Sequence, residues 1–134
     1  MGTEIELQKI PEPIKAALRE FLEDKRHYAM YIDVEANRLT TYIQHDITEE
    51  LENCVFECTQ QTKRHLSKEV DEEKIKESCQ DSCFVEVTAV VNAMFDDIRT
   101  ALFKYLNKYG IKHVWWEEGW EDVYRYLVVY IQIY

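Results

Sequence analysis

Apolar residues along this chain follow two rhythms that alternate. After Pro11 and Pro13, the residues Ile14, Ala17, Leu18, Phe21 and Leu22 recur at helical spacing, with Lys15, Arg19, Glu20 and Glu23 elsewhere. This predicts an amphipathic helix over residues 12 to 25. From His27 to His45 the composition turns to Tyr, Ile, Val and Thr around a polar Glu35-Ala36-Asn37-Arg38, which predicts a β-hairpin. Asp46 with Glu49 three residues on has the form of a capping box, and Ile47, Leu51, Cys54, Val55, Cys58 and Thr62 then share one helical face to about Leu66.

Asp71-Glu72-Glu73 places acids in the first turn of a third helix. Ile75, Cys79, Cys83, Val87, Val90, Met94, Ile98, Leu102 and Tyr105 continue one stripe until Gly110 supplies the stop. Such a helix would be ~55 Å long at about 1.5 Å per residue. Phe84 to Val91 is rich in β-branched residues, so a strand followed by a shorter helix capped at Asn92 is the alternative. No Gly or Pro interrupts the stretch, and the unbroken helix is preferred. Ile111 to Trp116 and Val123 to Tyr134 then alternate as strands around Glu117-Glu118-Gly119. The order αββααββ predicts an α+β fold, with a four-stranded antiparallel sheet packed on helices and a helical hairpin between the strand pairs. Residues 1 to 134 read as a single domain without a linker.

All four cysteines belong to two Cys-x-x-x-Cys units, Cys54/Cys58 and Cys79/Cys83, and i,i+4 spacing puts each pair on one helical face. The pairs Cys54/Cys83 and Cys58/Cys79 share one midpoint near Lys68-Glu69, as two rungs of an antiparallel helical hairpin would. Two rungs follow from that symmetry, and disulfides are the expected occupants, while a zinc site made by all four thiolates and free thiols in a core remain open. The twin spacing resembles the helical hairpins of the small Tim chaperones of the mitochondrial intermembrane space, in which two such units are doubly bridged. The resemblance covers Cys54 to Cys83 alone. Twenty residues separate the inner cysteines, more than that family normally has. The predicted flanking strands also lie outside its all-helical fold, so the resemblance implies the hairpin geometry and not the function.

Composition narrows the chemistry. With 26 Asp and Glu against 16 Lys and Arg, the formal charge of −10 repels phosphate backbones, so no direct nucleic-acid binding is expected. The acidity is uneven: residues 46 to 86 hold 12 acids and 5 bases, seven of the ten net charges. If the two cysteine-bearing helices extend beyond the sheet, they form an acidic projection suited to a basic groove, with Glu49, Glu57, Asp81 and Glu86 as candidate contacts. The bland reading is a solvated face. Only three glycines are present, and Gly-rich phosphate loops, His-Glu-x-x-His and Gly-x-Ser-x-Gly are missing, so no cofactor is implied. Neither a signal peptide nor an 18-residue apolar run is evident, so secretion by a signal and membrane insertion are not expected. Bridged cysteines without a leader point to an oxidising organelle reached otherwise, or to the cytoplasm of a hyperthermophile.

The C-terminal end is aromatic. Trp115, Trp116 and Trp120 crowd one window, and adjacent strand residues point to opposite faces, so Trp115 and Trp116 cannot enter one core. In the last strand Val123, Arg125, Leu127, Val129, Ile131 and Ile133 share a face expected to meet the helices. Tyr124, Tyr126, Val128, Tyr130 and Tyr134 share the other. That second face, covered by a further helix or used as an interface, together with a last strand lacking Lys or Pro as an unguarded edge, suggests a homodimer. The function expected is therefore that of a non-enzymatic interaction module for a protein with a basic surface, at its sharpest an inhibitor mimicking nucleic-acid charge. The enzymatic alternative is a small metal-dependent hydrolase using His27, Asp33, Glu35 and His45 of the first hairpin.

Overall fold

The computed structural model describes residues 10–24, 29–35, 37–66 and 71–133. Its elements are α1 (Glu12–Asp24), β1 (Ala29–Glu35), β2 (Arg38–Asp46), α2 (Thr48–His65), α3 (Glu72–Lys108), β3 (Val114–Glu121) and β4 (Tyr124–Gln132), in the αββααββ order. The chain gathers into two compact units, one of Met1–His45 with Phe95–Tyr134 and the other of Asp46–Met94. Helix α3 contributes its first part to the second unit and its last part to the first.

In the sheet-bearing unit the strand order is β1-β2-β4-β3. β1 pairs antiparallel with β2 from Ala29↔Gln44 to Glu35↔Arg38, and β3 with β4 from Val114↔Ile131 to Glu121↔Tyr124. β4 is thus interior, and the edge expected at the last strand lies at β1 and β3. The aliphatic residues of β4 explain this, since a strand flanked on both sides and apolar on one face is removed from water most completely at the centre. The turn expected at Glu117-Glu118-Gly119 is also displaced. β3 runs through those residues to Glu121, and Asp122 turns the chain at φ 54°, a left-handed conformation that Asp tolerates through its short polar side chain. Gly119 is a strand residue because the Tyr126 ring lies over it: an added Cβ would come within 2.9 Å of the Tyr126 hydroxyl.

Leu127, Val129, Ile131 and Ile133 are buried on the face that meets α3, as expected. The Phe103 ring meets Trp116 edge-on at 5.1 Å, and Arg125 lies 4.9 Å over the Phe95 ring. Only 5% exposed, Arg125 donates to the carbonyls of Tyr126 (2.8 Å) and Gly119 (3.2 Å) and to Glu118 (3.3 Å). Glu118 also accepts from Arg99. The buried guanidinium is thereby both hydrogen-bonded and charge-paired, which its burial requires.

Helix α1 starts where Pro11 accepts from the Ile14 and Lys15 amides, both at 3.1 Å; Pro13 sits in the first turn, where the N–H it lacks is not needed. Ile14, Ala17, Leu18 and Phe21 are buried, each large side chain contributing about 1.5–3 kcal/mol. Leu22, expected on the same face, is instead 47% exposed, since it lies about 100° round the helix from Phe21. Helix α3 ends as predicted at Gly110, whose φ of 78° lets the Ile111 amide reach the Leu106 carbonyl and its own amide reach that of Asn107. At that end Glu20 accepts from Lys108 Nζ at 3.0 Å and from the Tyr109 hydroxyl. The Tyr109 hydrogen bond, then Lys108, hold the Glu20 carboxyl below its ordinary value, and Glu20 in turn raises Tyr109.

Phe84 to Val91 is helical throughout. The buried line of α3, however, passes through Ile75, Cys79, Cys83, Val87, Val91, Phe95, Ile98, Leu102 and Leu106, not through Val90, Met94 and Tyr105. The rungs set residue 48 level with 89, so Val90 and Met94, 56% and 40% exposed, lie past the first turn of α2. Asp46 takes the Thr48 amide (2.9 Å) and hydroxyl (2.6 Å), an Asx turn beside Ile47 rather than the box with Glu49.

Cys54 and Cys83 form one disulfide and Cys58 and Cys79 the other, each with Cα atoms 5.8 Å apart. Unreduced peptide maps should contain these two links and no alkylated thiol. Reduction should cost about 3–4 kcal/mol for the rung that spans 29 residues, with the nested rung adding less, read from urea midpoints. Because Glu20 is held below 4.5, it stabilises the fold above the ordinary carboxylate value, and that stability is lost as pH falls through its lowered folded-state value. Glu20→Gln should therefore flatten the acid side of the stability curve measured by urea unfolding across pH, leaving its shape near neutrality unchanged.

Candidate functional site

Two surfaces are built from residues that the fold itself does not consume. The first is the hairpin of residues 46–94. Its cysteines face across the rungs because i,i+4 positions stack on one side of each helix. The hydroxyls of Thr59, which is buried, and of Thr62 bond back to the carbonyls of Val55 and Cys58 at 2.7 and 2.8 Å. Lys63 pairs with Glu72 at 2.9 Å. Glu49, Glu57, Asp81 and Glu86 are all exposed. Glu49 and Asp81 come three residues before Glu52 and Phe84 and so lie on neighbouring stripes. Glu86 sits instead at the cysteine seam, with a carboxylate oxygen 4.0 Å from Cys54 Sγ. Glu57 is turned about 100° from Phe56.

The apolar part of this surface was not expected from the sequence. Phe56 and Phe84 are 66% and 51% exposed, and with Leu51 and Val55 they line an open groove of about 710 Å³ between α2 and α3, rimmed by Glu52, Glu72 and Lys76. The signal was present: both phenylalanines fall outside the cysteine stripe of their helices.

The second surface is the sheet face opposite α3. Register sets Trp115, Glu117, Gly119 and Glu121 of β3 on the same side as Tyr130, Val128, Tyr126 and Tyr124. Trp115 stacks on Tyr130 at 5.5 Å and 16°, and Arg38 lies 5.2 Å over the same ring. The Tyr130 hydroxyl reaches Glu117 at 3.5 Å; burial, then the Glu117 charge, push its ionisation upward. Trp115 and Tyr124 are 44% and 45% exposed. Tyr42, Tyr124, Tyr126 and Glu121 line a cleft of about 610 Å³. Trp116 and Trp120 belong to the other face, Trp116 beneath Arg99 at 5.7 Å.

The remaining candidates do not converge. Asp33 is exposed and sits opposite the buried Thr40 on one side of the sheet, whereas His45, five positions along β2 from Thr40, points to the opposite side; His27 lies outside the described residues. Among the described residues no three His, Cys, Asp or Glu side chains gather as a metal site. The disulfides leave the four cysteines without thiolates for zinc. No described helix is long and apolar enough to cross a membrane. Compared with known families and curated proteins, the sequence matches no family model and no curated relative.

Proposed function

We propose that this chain is a non-enzymatic protein–protein interaction module whose acidic hairpin contacts a partner with a basic surface. The observation that carries the reading is the pair of disulfides, which hold α2 and α3 in register while Glu49, Glu57, Asp81 and Glu86 stand exposed on them. Carboxylates fixed in this way lose little conformational freedom on binding, and their common sign speeds encounter with a basic partner. Mimicry of nucleic-acid charge is the narrower version. It accounts for the acids and leaves the exposed Phe56 and Phe84 without a role, so the wider reading is preferred. Such bridges suit an oxidising compartment or the cytoplasm of a hyperthermophile.

Lysine at Glu49, Glu57, Asp81 and Glu86 together should slow association by about tenfold or more at low salt and flatten its salt dependence, because encounter between exposed charges is screened within about 10 Å at 0.1 M. The measurement is stopped-flow mixing with the protein that the oxidised wild-type chain captures. Unchanged affinity at low salt would reduce the hairpin to a solvated face.

The aromatic sheet face supports a second contact, between two copies of the chain, through Trp115, Tyr124, Tyr126 and Tyr130. Aromatic residues of this kind supply large contact area at small entropic cost. Light scattering at micromolar concentration is expected to give a dimer, and Trp115→Ser with Tyr124→Ser should return the 16.1 kDa chain. A monomeric wild type would remove this contact and leave the hairpin reading untouched.

A further inference from the structure

We infer that the groove between α2 and α3 is a docking site for an amphipathic, basic α-helix of the partner. The inference rests on the proposed role of the hairpin and specifies what that hairpin recognises. Phe56 and Phe84 form the two apolar walls, 66% and 51% exposed, with Leu51 and Val55 deeper in the groove. Large apolar side chains left in water on both sides of one furrow mark a contact surface.

The occupant must bring a backbone already hydrogen-bonded to itself. The backbone groups of α2 and α3 are spent within their own helices, so the groove offers no ladder to an extended strand. The dimensions agree. Lining positions from Leu51 to Gln60 on α2 span ~14 Å at about 1.5 Å per residue. Anchors at i, i+3 or i+4, and i+7 of a helix cover ~10 Å on the same rise.

Charge selects the sign of the occupant. Glu73, Glu77 and Asp81, all exposed, precede Lys76, Gln80 and Phe84 by three residues and so border the α3 wall. Glu49 and Glu52 border the α2 wall. Among the described residues Lys63, Arg64 and Lys76 are the bases lining or bordering this groove, outnumbered by Glu49, Glu52, Glu72, Glu73, Glu77 and Asp81, and Lys63 is paired with Glu72. Residues 46–94 hold 12 acids and 5 bases, so a second hairpin offered to this groove would be repelled, whereas lysines or arginines flanking an apolar stripe would be attracted.

The test uses the oxidised full-length protein and two fluorescein-labelled 15-residue probes of the same Leu and Lys content. One has Leu at helical i, i+3, i+4 and i+7 positions; the other has the same residues permuted to abolish the stripe. At about 0.15 M salt, where exposed charges are screened beyond about 8 Å, fluorescence anisotropy should show the amphipathic probe bound about tenfold or more tightly than the permuted one. Phe56→Ser with Phe84→Ser should erase that difference, since removing two central anchors typically costs at least tenfold in affinity. Both side chains are largely exposed, so the variant keeps its core, and near-ultraviolet circular dichroism checks this. Amide shifts on adding the amphipathic probe should concentrate on residues 51–60 and 72–84. Equal binding of the two probes, or no effect of the double substitution, would overturn the groove and leave the acidic hairpin standing as a charged contact. Shifts centred on the sheet face would do the same, as would a wild-type dimer that the double substitution dissolves. No binding of either probe even at low salt would overturn both readings.

Discussion

A helical hairpin with this composition cannot hold itself together by burial. Among the described residues of 46–94 the buried apolar side chains are few, Ile47, Ile75, Cys79, Cys83, Val87 and Val91, and the same segment carries 12 acids against 5 bases. Burial therefore contributes little and like charges oppose association of the helices. The two disulfides replace a core. They restrict the unfolded chain rather than adding contacts to the folded one, so they act however polar the remaining faces are. Two rungs four residues apart also set register, which one rung would not. The consequence is a hairpin whose seam is narrow, leaving the faces beside it available for carboxylates and for phenylalanines that a conventional helical pair would bury.

The sheet-bearing unit meets the same requirement by the ordinary route. Its helices and sheet share a closely packed face from Leu39 and Ile43 through Ile98, Leu102 and Leu127. Among the described residues Arg125 is the one charged side chain buried in that face, and its tolerance depends on Glu118, two carbonyls and the Phe95 ring acting together. Glu20 fastens α1 to the end of α3 through Lys108 and Tyr109. With stability supplied on one side, the other side of the sheet carries tyrosines and Trp115, amphipathic groups that tolerate water better than aliphatic ones.

Much of this was legible along the chain. The element order, the unbroken α3, the Gly110 stop and the pairing of Cys54 with Cys83 and Cys58 with Cys79 all follow from local periodicity and from one symmetry of spacing. The misreadings share a cause. Glu117-Glu118-Gly119 looked like a turn because Gly and acids usually make one, yet Gly119 is required by the Tyr126 ring from the next strand. Val90 and Met94 fit the apolar stripe of α3, but α2 begins too late to cover them. The final strand looked like an edge because nothing in its own residues announces two neighbours.

The sequence by itself determined what depends on near neighbours: helix and strand period, the glycine stop, the location of charge, and the two-fold spacing of the cysteines. Each is decided by the few residues within a turn or a strand pair, where sterics and hydrogen bonding act directly. Tertiary structure alone decided which sheet positions are interior, which face of each helix is left uncovered, and that Phe56 and Phe84 stand together across a groove. Those outcomes depend on where a second element stops and which way it is turned, and burial is a property of the pair rather than of either strip of sequence.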